Sequence, residues 1–149
     1  PEPAIISGMT PEAKEELIKY LTRTYNQISP KDIVAEVDHY DREKRQSIML
    51  YAPLTDGQSL WTITHIQGKC VILINTNHNF YEYYIQGLKS DEDKTGITAV
   101  ELFLHSLAVN MHSYDNKEMD LHENTRSYVG ITLKDYVNAL HEQDSNEAV

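Results

Sequence analysis

Residues 60–75 read Leu60-Trp61-Thr62-Ile63-Thr64-His65-Ile66, then Gln67-Gly68-Lys69, then Cys70-Val71-Ile72-Leu73-Ile74-Asn75, and this stretch decides the fold. Two strand-like runs flanking a glycine-bearing tripeptide specify a β-hairpin. The second run is apolar from Cys70 to Ile74, so neither face suits water and the strand belongs in the middle of a sheet. Just upstream, residues 47–51 (SIMLY) read as another strand, and residues 53–58 (PLTDGQ) as a turn carrying Asp56-Gly57. Further back, residues 32–40 alternate: Ile33, Ala35 and Val37 on one side, Val34, Glu36 and Asp38 on the other. That alternation predicts a half-exposed strand, followed by a charged connection over residues 41–45.

Helical periodicity surrounds this region. Thr10 is a good N-cap, Pro11 suits the first helical position, and Glu12 complements the positive helix end. Ala13, Leu17, Ile18, Leu21 and Tyr25 then recur at helical spacing until Ser29-Pro30 breaks the pattern. Beyond Asn75, residues 80–88 form a short aromatic-rich helix and residues 90–94 (SDEDK) an exposed acidic loop. Residues 98–111 form a long helix whose apolar face (Val100, Phe103, Leu104, Leu107, Ala108, Met111) is widened by Leu102 and Val109, predicting burial on most sides. A last helix, 132–141, is capped by Thr132 and carries Leu133, Tyr136, Val137 and Leu140 at helical spacing, with Tyr128 and Ile131 just ahead of it around Gly130 and a frayed polar tail after it. The expected architecture is one α+β domain over residues 1–149, a mostly antiparallel sheet with a central hairpin packed against several helices.

Composition excludes several classes. The chain has 149 residues and a formal charge of −10, which opposes direct binding to nucleic-acid phosphates. No run approaches the ~18 apolar residues of a membrane span. One cysteine excludes an internal disulfide framework and suits a reducing cytoplasmic setting. Solubility alone accounts for the acidity; mimicry of DNA or docking to a basic partner is the alternative. The six glycines are isolated, so neither a Walker loop nor a dinucleotide fingerprint is present.

Seven histidines are a rich supply, yet they form no metalloprotease pattern. Glu101, His105 and His112 share a helix face that reads as solvated. Asp38 and His39 would point to opposite faces of a strand. Cys70 reads as a small buried hydrophobe rather than a thiolate, and no G-x-S-x-G elbow exists. Phe80, Tyr81, Tyr83 and Tyr84 crowd one short helix beyond the needs of a single buried stripe; core packing is the default and a partner surface the alternative.

The corner after the central strand stands out: Asn75-Thr76-Asn77-His78-Asn79-Phe80-Tyr81. Its Asn and His side chains can cap the exposed N–H groups of the helix it opens. Asn75, Thr76, His78, Phe80 and Tyr81, followed by an acidic loop and by Glu101, Leu102, Leu104, Leu107 and Ala108, also resemble a known pattern. The similarity is to the C-terminal region of GHKL-type ATPases, the bacterial and phage relatives of the gyrase, histidine kinase and MutL module, over roughly residues 44–111. The chain departs from it at Asn79, where the family usually has Pro. A chain opening Pro-Glu-Pro without an initiator Met is either one from which a tag was removed or a piece of something longer, and the resemblance implies the second, a C-terminal piece of a longer protein. It places ATP in an N-terminal module of that parent, with no cofactor in this chain.

The expected function is therefore a non-catalytic transducer or interaction domain. It would work through contacts with a protein partner, the rest of its parent, or a second copy in a homodimer. Asn75 and His78 would hold the corner, and Phe80, Tyr81, Tyr83 and Tyr84 would be presented for binding. Two rivals are a free-standing acidic binding protein, with Asp91, Glu92, Asp93, Asp115, Glu118 and Asp120 in line, and a small hydrolase in which His39, His65 or His78 meet a carboxylate.

Overall fold

The computed structural model describes residues 9–43, 47–54, 58–111 and 115–147, with side chains through residue 142. Residues 44–46, Asp56-Gly57 and His112, to which the sequence reading assigned a loop, a turn and a helix face, lie outside them.

Helix α1, Pro11–Thr24, starts as its cap predicts: the Thr10 hydroxyl oxygen accepts from the Ala13 N–H at 3.2 Å. Helix α2, Pro30–Glu43, replaces the strand expected over residues 32–40. Ser29-Pro30 does not end a helix so much as begin the next one. Ser29 Oγ accepts from the Asp32 N–H at 3.2 Å, and Pro30 takes the first helical position. Ile33 and Val37 are buried one turn apart, so the stripe has helical period and the apparent alternation was fortuitous.

Three strands follow: β1, Ser47–Ala52; β2, Trp61–Ile66; and β3, Lys69–Asn75. The order in space is β1-β3-β2, with the apolar β3 central as its composition requires. β2 and β3 pair antiparallel, Trp61 opposite Ile74 and Ile66 opposite Lys69. Their turn tightens to Gln67-Gly68, both at positive φ (52° and 75°). β1 pairs with β3 in parallel, Ser47 beside Cys70 through Ala52 beside Asn75, so the sheet is mixed, one pair of each sense. The connection from β1 must therefore cross the end of β3 before β2 can start.

Helices cover both faces. Ile48, Leu50, Val71 and Leu73 pack against Leu17, Leu21, Ile33 and Val37 of α1 and α2. On the other face Met49, Cys70, Ile72 and Ile74 meet Ile85, Ile97, Leu104 and Ala108. The aromatic segment after β3 is a π-helical turn, Tyr81–Ile85, running into α3, Gln86–Ser90. Helix α4, Thr95–Asn110, buries Ile97, Leu104, His105 and Ala108, while Leu102, Phe103 and Val109 face outward, against the expectation of burial on most sides.

Helix α5, Asn116–Glu147, is far longer than the 132–141 segment expected. Asp115 caps it, Oδ1 accepting from the Glu118 N–H at 2.8 Å. Gly130 does not interrupt it, and the polar tail from Glu142 continues the helix to Glu147. At Gly130 the helix presses against the segment before β2: a side-chain Cβ there would sit 2.9 Å from the Ser59 Cα and closer still to the Gln58 carbonyl oxygen. The absent side chain permits that approach. The molecule is thus α+β, one mixed three-stranded sheet between helices. No helix among the described residues is long and apolar enough to cross a membrane.

Candidate functional site

The crossing connection explains the first residue of the corner. Asn75 is fully buried, and its side chain ties three segments together. Oδ1 accepts from the Leu54 and Asn77 N–H groups at 3.0 and 2.9 Å, and Nδ2 donates to the Ser59 carbonyl at 2.9 Å. Its own N–H donates to the Leu60 carbonyl, and the Thr76 N–H to that of Ala52. Both ends of the β1–β2 connection are therefore fastened to the tip of β3, and every polar atom of the Asn75 amide group is engaged.

His78 does the same for α5. Its ring is fully buried; Nδ1 accepts from the Phe80 N–H at 3.0 Å, so Nε2 carries the proton and donates to the Gly130 carbonyl at 2.9 Å. Asn79 adds a second tether, Nδ2 donating to the Lys134 carbonyl (2.9 Å) and to Asn138 Oδ1 (3.0 Å). A proline at this position would have no such donor.

The aromatics continue this docking. Tyr83 stacks on His141 of α5, centroids 3.6 Å apart, and Tyr84 lies 6.3 Å from the same ring and 5.4 Å from Phe80. Tyr81 packs toward Tyr51 at 6.0 Å. Phe80 and Tyr81 are half-buried; Tyr83 and Tyr84 keep an exposed side. The corner thus does two jobs: Asn75 fastens the β1–β2 connection to β3, while His78, Asn79, Tyr83 and Tyr84 hold α5 against the end of the sheet. At the other end of the contact, Trp61 meets the His122 ring edge-on at 6.4 Å. Burial, then the Arg126 charge, pushes His122 below its ordinary pKa.

The histidines divide otherwise than the hydrolase reading requires. His78 is a structural clamp and His65 is exposed on β2. Of the three, His39 lines a hollow with carboxylates, together with Glu36, Ser47, Glu101 and His105. Glu101 and His105 turn inward rather than forming a solvated face: Tyr51 donates to Glu101 Oε2 at 2.8 Å, and Ser47 bonds His105 Nδ1. A serine hydroxyl on an imidazole is the pairing a nucleophile needs. Ser47 is sealed, however, and the hollow measures about 10 Å³, room for one water at most. Beside it, Lys89 lies 3.5 Å over the Tyr51 ring in a cleft of about 180 Å³ that also holds Asp32 and Glu36. Among the described residues no three His, Cys, Asp or Glu side chains are grouped to hold a metal ion. Burial pushes the Cys70 thiol up to about 11, the behaviour of a small core hydrophobe.

What sequence reasoning missed is that α5 is one helix through Gly130 and that Tyr128, Tyr136 and Leu140, read as lying at or beside a helical stripe, line an outer side of it. Leu121, Tyr128, Val129, Tyr136 and Leu140 are all exposed there, and Tyr128 is 71% open to solvent. The signal was present: 121, 125, 128, 132, 136 and 140 recur three and four apart, but Gly130 was read as a boundary. Phe103, 67% exposed, and Leu102 add a smaller apolar spot on α4.

Comparison with known proteins returned no match, whether to a family model, a curated protein or a solved structure.

Proposed function

We propose that this chain is a protein-interaction domain, the transducer-like C-terminal portion of a GHKL-type ATPase, and that its contact surface is the outer face of α5. One observation carries the reading: a 32-residue helix, clamped along one side by His78, Asn79, Tyr83 and Trp61, presents Leu121, Tyr128, Val129, Tyr136 and Leu140 to water on another. Contiguous exposed apolar residues with a charged surround mark contact surfaces, because scattered ones suffice for a surface with no partner. The corner and its aromatics then serve to position that helix rather than to bind. The ATPase part of the reading rests on the resemblance of residues 44–111. The order strand, corner, aromatic helix, acidic loop and apolar helix supports it.

The test is photo-cross-linking in the source cells, with p-benzoylphenylalanine at position 128 or 136 and detection by an antibody to this chain. A discrete heavier adduct from both positions is expected. Adduct from neither overturns the interaction reading. The unirradiated lane gives the size of the natural polypeptide, and a band at 17.1 kDa alone removes the parent ATPase.

A further inference from the structure

Resting on the interaction reading above, we infer that the partner seated on α5 is a second copy of this chain, its α5 laid antiparallel across the first. The spacing of the exposed stripe carries this. Consider a two-fold axis through the peptide bond between Gly130 and Ile131, so that residue i faces residue 261 − i of the other copy. Leu121 then meets Leu140, Thr125 meets Tyr136, Tyr128 meets Leu133 and Val129 meets Thr132. Every exposed apolar residue of the stripe thereby faces another member of the same stripe or its half-buried neighbour Leu133, and none faces a charge. A patch complementary to itself under a two-fold rotation is what an isologous dimer requires.

Charge and size agree. The chain carries a net charge of −10, yet residues 124–133 contain no carboxylate, and their one charged residue, Arg126, is half-buried beside His122. Charged residues resume on either side: Lys117, Glu118, Asp120 and Glu123 before the window, Lys134, Asp135 and Glu142 after it. An uncharged centre inside a charged rim is the anatomy of an interface. The stripe from 121 to 140 runs roughly 28 Å at 1.5 Å per residue. With Tyr128 and Tyr136 at 71% and 67% exposed and Leu121 at 59%, it offers roughly two thirds of the ~800 Å² per partner that a standard interface buries. Thr125, Thr132 and the rim supply the remainder. Tyrosines at the centre are the side chains best suited to such a contact, giving area with a hydroxyl left at the edge.

Sedimentation equilibrium on the purified chain tests this, at concentrations on the order of 100 μM. A species of twice 17.1 kDa is expected. Tyr128→Glu should weaken association by about tenfold or more with an unchanged circular dichroism spectrum, since this side chain is not part of the core. The register has its own test. Thr125→Glu and Tyr136→Lys should each weaken the dimer, and the double variant should regain most of the association, because position 125 of one copy faces 136 of the other. Those two positions are too far apart on one helix to pair within a chain. A monomeric wild type, or a double variant as weak as the singles, overturns the antiparallel pairing. A wild type that is monomeric in the centrifuge yet cross-links to a different protein through position 128 overturns the pairing alone and leaves the interaction reading standing.

Discussion

Replacing Gly130 by alanine sets two effects of known sign against each other. Glycine in the middle of a helix costs about 1 kcal/mol relative to alanine, so propensity alone makes the substitution stabilising. The packing says the opposite. The new methyl would overlap the Gln58 carbonyl oxygen and sit 2.9 Å from the Ser59 Cα, and both are backbone atoms that no rotamer change can move aside. Helix α5 must back away, which costs roughly 1–3 kcal/mol as overpacking. Retreat also stretches the 2.9 Å bond from His78 Nε2 to the Gly130 carbonyl, leaving a fully buried N–H unpaired for about 1–3 kcal/mol more. The expected net is a destabilisation of about 2–4 kcal/mol, read as a fall in Tm of roughly 5–10 °C for a chain of this length. Thermal unfolding by circular dichroism measures it, and hydrogen exchange should show α5 amides losing protection first. Gly87→Ala is the control: it lies in α3 with no atom within 4 Å of the added carbon, so it should be neutral or stabilising by up to about 1 kcal/mol. If Gly130→Ala matched Gly87→Ala, the close approach of α5 to residues 58–59 would be refuted.

Other outcomes follow from the same contacts. Gln67 holds a left-handed φ of 52°, strained for an ordinary side chain, so Gln67→Asn should stabilise by about 0.5–1 kcal/mol in denaturant titration with an unchanged m-value. With its thiol pushed up to about 11 against an ordinary 9.0, Cys70 should react with iodoacetamide at least roughly 100-fold more slowly than a free thiol until the chain unfolds; fast labelling of the native chain would contradict its burial. His122 is held below its ordinary value of 6.5, so on acidification the unfolded chain takes up this proton before the folded one. Stability should begin to fall as pH drops below about 6.5 and go on falling until the folded pKa is passed. Unfolding followed by the fluorescence of Trp61, the sole tryptophan, should show this loss, and His122→Gln should reduce it.

The sheet was legible in the sequence because its central strand announces itself. Cys70–Ile74 is apolar on both faces and joins β2 through a glycine turn, a combination with few other solutions. The cap at Thr10-Pro11 was legible for the same kind of reason, a chemical group that only a helix start needs. The misreading of α2 shows how a weaker signal displaced a stronger one. Ser29-Pro30 repeats the logic of Thr10-Pro11, and Ile33 and Val37 lie one turn apart, but Ala35 completed an alternation that five residues can produce by accident. Gly130 misled in the opposite direction. Its place in a helix depends on a backbone 71 residues away in sequence coming within contact distance, which no local pattern encodes. At the corner, sequence found the cap that His78 gives the Phe80 N–H, yet the exposed stripe of α5 emerged only when the helix was seen to be continuous.

The Asn75 clamp also bears on the order in which the chain folds. The hairpin closes over two residues and each helix over its own turns, so these can form within the local chain. The parallel pairing of β1 with β3 cannot: Ser47 must find Cys70 after the intervening connection has wrapped across the sheet end, and loop closure is a cost met before any contact rewards it. Asn75, which touches Leu54, Ser59 and Asn77 at once, can complete its bonds only after that wrapping. It is a latch that shuts last. Removing it should leave the rate of closing nearly untouched while letting the closed molecule open sooner, so that this single amide governs how long the fold lasts more than how fast it arrives.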